Sequence, residues 1–421
     1  MTEIKTSIRL QTWFKLLSEK LGFDVEYLVR SGLWVGIGHV FGMARGFVLM
    51  LVLTHFLSQQ VFGQYNWLIS ILSIVSVFSL SGIGVAIMQA VARGNDGAYR
   101  QGVKLSLRWG ALGGLAFLGL AFFYYFLKGE GQFGMTFFLM AFLFPFYTTA
   151  FLSNSFWGGK QRFDLITKQT IIVSFLSFIV MATVAILFQN LTFQILAFLF
   201  STIIFNGFFT QRAYKLAVGA EDINLHIYGR QQSNINILSL LSTNIEYFFI
   251  PFFVGFELFA SFALALALAG QLKSAFKLLS SIILPKLSAR SFDSARSLLT
   301  RYLVKITIGA LICGGLVSAL VPWVIHIFFP AKYVATIFYA QILFFAEATT
   351  LPFMFIYQFF TAQKMVKQLY SVTFFNLAVK IVLLLPLIYF WHLAGATIAY
   401  LLFRVFSLAY ILFLFWRSTK N

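Results

Sequence analysis

The chain has 421 residues, of which 60% are hydrophobic and only 10% charged, and 31 Lys and Arg against 13 Asp and Glu leave a net charge of +18. So little polar surface cannot cover a soluble core of this length, which excludes a soluble globular protein and points to an integral membrane protein. The basic residues fall in short runs between long apolar segments, with no basic face or tail, which is membrane topology rather than a nucleic-acid surface.

The stretch ahead of Arg30 is charged and has no apolar core, so it does not read as a cleavable signal peptide, and the first apolar helix is expected to serve as the insertion signal. Within it Leu10, Trp13, Phe14, Leu17 and Leu21 share a helical face opposite Lys15 and Glu19, as in a helix lying on the inner leaflet. Apolar stretches of about 20 residues then predict helices over 31–57, 64–92, 103–127, 134–157, 165–188, 191–213, 233–255, 256–284, 298–325, 336–361, 369–391 and 394–416. This is an all-α polytopic membrane protein of twelve transmembrane helices. The joints "LFQNLT" and "FWHLAGA" are so short that each demands a tight helical hairpin. With both termini in the cytoplasm, that side collects 26 of the 31 basic residues. Lys128 and Lys332 fall in outer loops, while Arg45, Lys380 and Arg404 lie inside helices.

Two turns share a rhythm: "HFLSQQVFGQY" from His55 and "FFVGFELFASF" from Phe252, 197 residues apart. At the same offset Arg93 falls on Arg290, Lys104 on Arg301 and Arg108 on Lys305. Six helices per copy is an even number, so the two halves would enter the membrane in the same orientation, as a parallel pseudo-repeat of two six-helix lobes facing a midplane cavity. The expected divisions are a cytoplasmic segment 1–29, a lobe 30–213, a cytoplasmic linker 214–232, a lobe 233–416 and a cytoplasmic tail 417–421.

A charge at a helix centre costs roughly 2.5 to 3.5 kcal/mol on insertion scales, so those retained mark what such a cavity handles. The deep ones are Arg45, Glu246, Glu347, Lys380 and Arg404. Several sit on polar stripes at helical spacing: Asn236, Ser239, Thr243 and Glu246; Thr373, Asn376 and Lys380; Thr397, Tyr400, Arg404 and Ser407. Such stripes face protein or water, either pairing across helices to hold the bundle or lining a path. Lys273 and Lys277 project from one face of the eighth helix. They either snorkel to headgroups or form a funnel for an anionic headgroup. Gly38, Gly42 and Arg45 share a face of the first helix, with His39 about a third of a turn away from Arg45. His39 could carry a proton, though a lone helical His is more often structural.

Chemistry is absent. No outer loop is long enough for an active site, and there is no Walker-type loop, HExxH, CxxC or nucleophile elbow, so no enzyme, metal or cofactor is expected. Cys313 stands alone, which excludes an internal disulfide, and the Asn190 sequon reads as chance.

The segments "LTHFLSQQVFGQYNWLISI" and "GIGVAIMQAVARG" in the first half, and "IEYFFIPFFVGFELFASFALA" and "SIILPKLSA" in the second, resemble the Wzx-type O-antigen and polysaccharide flippases. These are the polysaccharide transporter branch of the superfamily that also holds multidrug exporters and lipid II flippases. The resemblance spans all twelve helices through loose patterns, and departs at Ala260, Ser261 and Phe262, where many relatives keep Gly-x-Tyr.

It implies a bacterial inner-membrane flippase that moves an undecaprenyl-pyrophosphate-linked oligosaccharide, as in lipopolysaccharide assembly, from cytoplasmic to periplasmic leaflet by alternating access. The prenyl tail would stay in lipid, and other membrane proteins of the polysaccharide pathway would be partners. Arg45, Lys273, Lys277, Glu246, Arg404 and Lys380 are then the expected substrate contacts, with Glu246, Glu347 and His39 as candidate ion carriers. The alternatives are a multidrug or metabolite cation antiporter of the same fold, which would want an acidic aromatic pocket, and a lipid II flippase, expected to carry two further helices. A sugar polymerase would need a large periplasmic loop.

Overall fold

The computed structural model describes residues 25–288 and 290–418. The amphipathic face expected between Leu10 and Leu21 lies outside the described residues.

In hydrocarbon no water is available to an unpaired N–H or C=O, so a chain this apolar satisfies its backbone within helices. Among the described residues ten helical segments are long and apolar enough to cross a membrane. The N-terminal half comprises α1 (Val25–Phe56), α2 (Gln59–Val75), α3 (Ile83–Ala92), α4 (Gly97–Phe122), α5 (Gly131–Ala150), α6 (Leu152–Gly159), α7 (Phe163–Leu187) and α8 (Leu191–Leu216). The C-terminal half comprises α9 (Leu225–Ser288), α10 (Phe292–Phe328), α11 (Thr336–Ala348), α12 (Thr350–Ala362) and α13 (Val366–Arg417).

Two long elements are each two helices. Gly255, at φ 77° and ψ 165°, breaks α9, and His392, at φ 49° and ψ −130°, breaks α13. The arms of α13 fold back on each other, with the Phe375 and Tyr410 rings stacked at 4.0 Å and Ser407 Oγ donating to Asn376 Oδ1 at 2.8 Å. Ten segments with two such breaks accommodate the twelve spans expected from hydropathy. The short joints are local chemistry: Ser58 Oγ accepts from the Val61 N–H at the start of α2, and Asn190 Oδ1 accepts from the Thr192 N–H at the start of α8. The Asn190 side chain is thus a helix cap. The last span of the first half and the first of the second meet earlier than expected, because α9 begins at Leu225 rather than 233. Leu225 is fully buried in a cluster with Ile83, Ala86 and Tyr99, which extends the helix beyond the apolar stretch.

Helices α1 to α8 pack mainly among themselves, as do α9 to α13, and α2 and α3 lie along the first arm of α9 to join the halves. The two rhythmic turns meet each other at this junction. A Cβ on Gly63 would sit 2.1 Å from the Phe256 carbonyl oxygen, so only glycine lets the turn of α9 come this close. Nearby, Gln59 Nε2 lies 3.4 Å from Ser261 Oγ and donates to the Lys332 carbonyl at 2.8 Å, while Lys332 Nζ donates to the Leu57 carbonyl at 2.7 Å. Trp67, 1% exposed, is ringed edge-on by Tyr124, Phe133 and Phe137 from its own half and Phe252 and Phe256 from the other, at 5.4 to 6.1 Å. This end of the molecule, which carries both turns, is sealed.

At the opposite end, which carries the connection from α8 to α9, α3 still holds the start of α9, but α1 does not close on the second arm. Gly46 of α1 approaches the second arm of α9, its missing Cβ 3.7 Å from Gln271 Nε2. One turn further from the sealed end Gly42 faces open space, and at the next Gly38 faces Thr167 of α7 instead. Toward that end α1 therefore leaves the second arm of α9 and leans on α7.

Candidate functional site

Five ionisable side chains converge inside the C-terminal half. Glu246 and Lys273 come from the two arms of α9, Glu347 from the end of α11, and Lys380 and Arg404 from the two arms of α13. The stripes explain the convergence. Residues three, seven and ten apart lie on one face of a helix, and Asn236, Ser239, Thr243 and Glu246 turn theirs toward Thr373, Asn376 and Lys380. Between them is a cavity of 480 Å³, completed by Tyr400 and Arg404 of α13 and by Thr350 and Tyr357 of α12.

Two ion pairs are built into its wall. Lys380 Nζ stands 2.5 Å from Glu246 Oε1 and donates to the Ser242 carbonyl at 2.6 Å. Glu347, 1% exposed, accepts from Arg404, from the Tyr400 hydroxyl and, at 2.6 Å, from Thr350 Oγ1. Arg404 also donates to the Tyr400 hydroxyl at 2.8 Å. Phe403 lies between the two cations, 4.7 Å from Lys380 Nζ and 5.4 Å from the Arg404 guanidinium measured to the ring centroid. Each carboxylate therefore has a cation of its own, and Glu347 has two hydroxyl donors besides, the arrangement that makes a buried charge tolerable.

Lys273 is the exception. It lines the same cavity, and among the described residues it makes no ion pair and no hydrogen bond. Three cations against two carboxylates leave the cavity with one positive charge unmatched. An anion would match that charge, and phosphate oxygens are the anionic groups that Lys and Arg bind by charge-assisted hydrogen bonds.

Of the residues singled out from sequence, the structure brings Glu246, Lys273, Glu347, Lys380 and Arg404 together and leaves three elsewhere. Arg45 is in the N-terminal half, where its Nη2 reaches Met181 Sδ at 3.8 Å and its Nε is buried without a partner. It lies beside Tyr65 and faces the interior of its own half. His39 is half-buried on α1 with Nε2 unpartnered, and Lys277 is exposed one turn beyond Lys273. A midplane cavity walled by both halves was expected; every lining residue here is C-terminal, because α1 leans on α7 where it would otherwise close on α9. Thr350 and Phe403 were not anticipated. Thr350 is three residues beyond Glu347, a spacing that returns to the same helical face, whereas nothing in the pattern around Phe403 marks it off from the other 53 Phe residues.

Comparison with known proteins bears on this arrangement. The chain has the fold of an inward-facing multidrug resistance MATE family transporter of the MOP superfamily, at a TM-score of 0.71 and 14% identity over 89% of this chain and 94% of that one. The outward-facing form of a multidrug resistance MATE family transporter matches at 0.59 and 14% over 92% and 95%. A MOP superfamily transporter from Pyrococcus furiosus, described as having a binding pocket of reversed polarity, matches at 0.58 and 13% over 93% and 96%. No curated protein sequence matches the chain. A family model described as polysaccharide biosynthesis protein matches residues 28–255. The match begins in α1 and ends at the Gly255 turn, and it agrees with the family expected from the two turns and their flanking helices. Since it spans more than half of the sequence, the chain belongs to the polysaccharide biosynthesis protein family.

Proposed function

We propose that this protein is a flippase, moving an undecaprenyl-pyrophosphate-linked oligosaccharide, an O-antigen unit or another surface-polysaccharide repeat, from the cytoplasmic to the periplasmic leaflet of a bacterial inner membrane. The observation that carries this reading is the unmatched Lys273 in a cavity whose two carboxylates are both occupied by their own cations. An anionic pyrophosphate finds a free positive charge there. The family match adds the polysaccharide context, and the superfamily fold adds the transporter architecture.

In this reading both termini and the α8–α9 connection are cytoplasmic, and the structure is the inward-open state. The parted end between α1 and α9 admits the headgroup, while the prenyl tail remains in lipid beside it. Lys273 takes the pyrophosphate, and the hydroxyl and amide groups of Ser239, Thr243, Thr373 and Asn376 offer hydrogen bonds to sugars. Opening the sealed end then requires the Gln59, Lys332 and Gly63 contacts to separate. Arg45, in the other half, is a second anion contact available once the halves rearrange. A cation antiporter would need a carboxylate free to take its cargo, and Glu246 and Glu347 are both paired.

The reading is tested in a strain lacking the protein, by mass spectrometry of polyprenyl-pyrophosphate-linked oligosaccharides in its inner membrane. Build-up of one completed repeat unit, relieved by restoring the gene, is the expected result. Unchanged lipid-linked sugars with altered sensitivity to small cationic compounds would overturn it.

A further inference from the structure

Beyond the contact of α9 with α12 that bounds the charged cavity there is a second opening. The second arm of α9 and α10 follow each other in the chain yet scarcely touch; each leans on α12. The wedge between them is an apolar cavity of 540 Å³ lined by Phe276 and Leu279 of α9, Gly309 and Cys313 of α10, and Leu351 and Phe355 of α12. Ile283 and Ile306 line both this cavity and a further one of 350 Å³, so the two form one slot running toward the end of the molecule that carries the α8–α9 connection. Arg290 lines its far end. Tyr302 lines it too, with Lys305 Nζ and the Arg301 guanidinium each 5.9 Å from the ring centroid. Arg290, Arg301 and Lys305 are exposed, and among the described residues none of them pairs with a carboxylate.

We infer that the slot between α9 and α10 binds an anionic phospholipid of the surrounding leaflet, an acyl chain filling the apolar part, the phosphate held by Arg290 at the far end and Lys305 adding positive charge along the rim beside Tyr302. The shape is that of the amphiphile: an apolar trough at membrane depth ending in cations at the headgroup level, the position where basic pockets between transmembrane helices take lipid headgroups. The slot is kept open from the α10 side, since a Cβ on Gly309 would meet no atom within 4 Å. It is separate from the transport cavity, because α9 and α12 close on each other between the two, with Ser280 Oγ 3.9 Å from Met354 Sδ. A lipid in the slot and a cargo in the cavity do not compete, and the two openings flank the helix that presents Lys273.

The full chain, purified in detergent and titrated with dioleoyl phosphatidylglycerol or dioleoyl phosphatidylcholine, is examined by native mass spectrometry. The anionic lipid is retained in preference to the zwitterionic one by about five-fold or more. Arg290→Gln combined with Lys305→Gln, two surface changes that leave the packing alone, removes the preference. Gly309→Leu, which grows into open space and favours the helix, lowers retention of both lipids. Equal retention of the two lipids by the unaltered protein means unspecific annular lipid and overturns the inference, as does a preference that survives the double variant. Displacement of phosphatidylglycerol by a polyprenyl phosphate, with the preference otherwise intact, assigns the slot to the transported lipid and also overturns it.

Discussion

Lys380 on the first arm of α13 is held 2.5 Å from Glu246 on the first arm of α9, so a single ion pair ties the first two of the three C-terminal polar stripes across the cavity. Both side chains are less than a tenth exposed. A pair this buried stabilises less by existing than it destabilises when broken, because removing one member strands the other.

Lys380→Met therefore lowers stability by about 3 to 5 kcal/mol, as does Glu246→Leu, while the combination of the two recovers most of the loss. Thermal unfolding of the purified variants measures this. Additive losses in the double variant would show that the two residues act independently.

Lys273 behaves in the opposite way. With no partner to strand, Lys273→Ala leaves the melting temperature near that of the unaltered protein, and transport falls by about tenfold or more, the worth of one charge-assisted hydrogen bond. Lys273→Arg, which keeps the charge, retains a substantial part of the activity. Export of surface polysaccharide in a complemented deletion strain, read beside protein abundance, separates the two effects.

Those two residues were legible because ionisable groups in apolar helices are few and their helical spacing declares a face. The three stripes beginning at Asn236, Thr373 and Thr397 were found without any knowledge of packing, and the first two line the cavity with Tyr400 and Arg404 of the third. Arg45 illustrates the limit. Its position in the first helix was evident, but which neighbour it faces depends on α1 lying against α7, where Gly38 meets Thr167 and Arg45 meets Met181, 136 residues away in sequence. Periodicity carries no record of such pairings. The start of α9 at Leu225 escaped for a related reason: Leu225 and Tyr228 are helical because α3 covers them, while the stretch around them is too mixed in polarity to read as a span.

Gly63 is the point at which the two turns touch, and a side chain there collides with backbone rather than with a flexible tip. Gly63→Leu is expected to hold the sealed end apart. With Cys313→Ala as background, Gln59→Cys and Ser261→Cys are joined by a short bifunctional thiol reagent, since the native side-chain atoms are 3.4 Å apart. Adding Gly63→Leu reduces the cross-linked fraction. An unchanged yield would mean that the turns accommodate the side chain without parting.

Lys332 and Gln59 latch the same end through the carbonyls of Leu57 and of Lys332 itself. Lys332→Met removes a charged donor worth about 1.5 to 3 kcal/mol and shifts the balance toward separation at that end. Thiol labelling of Ser261→Cys, again without Cys313, is expected to accelerate. No acceleration would place the energy of closure in the Trp67 aromatic cluster instead.

The most direct measurement is translocation in proteoliposomes. The purified protein is reconstituted with a fluorescent polyprenyl-pyrophosphate oligosaccharide, and the fraction of headgroups accessible to an added membrane-impermeant quencher is followed with time. The unaltered protein moves labelled headgroups between leaflets, and Lys273→Ala, folded and inserted to the same extent, slows that movement to near the rate of empty vesicles. Equal translocation by the two proteins would contradict the assignment of Lys273 as the anion contact. No translocation by either, with uptake of a small organic cation instead, would contradict the flippase reading itself.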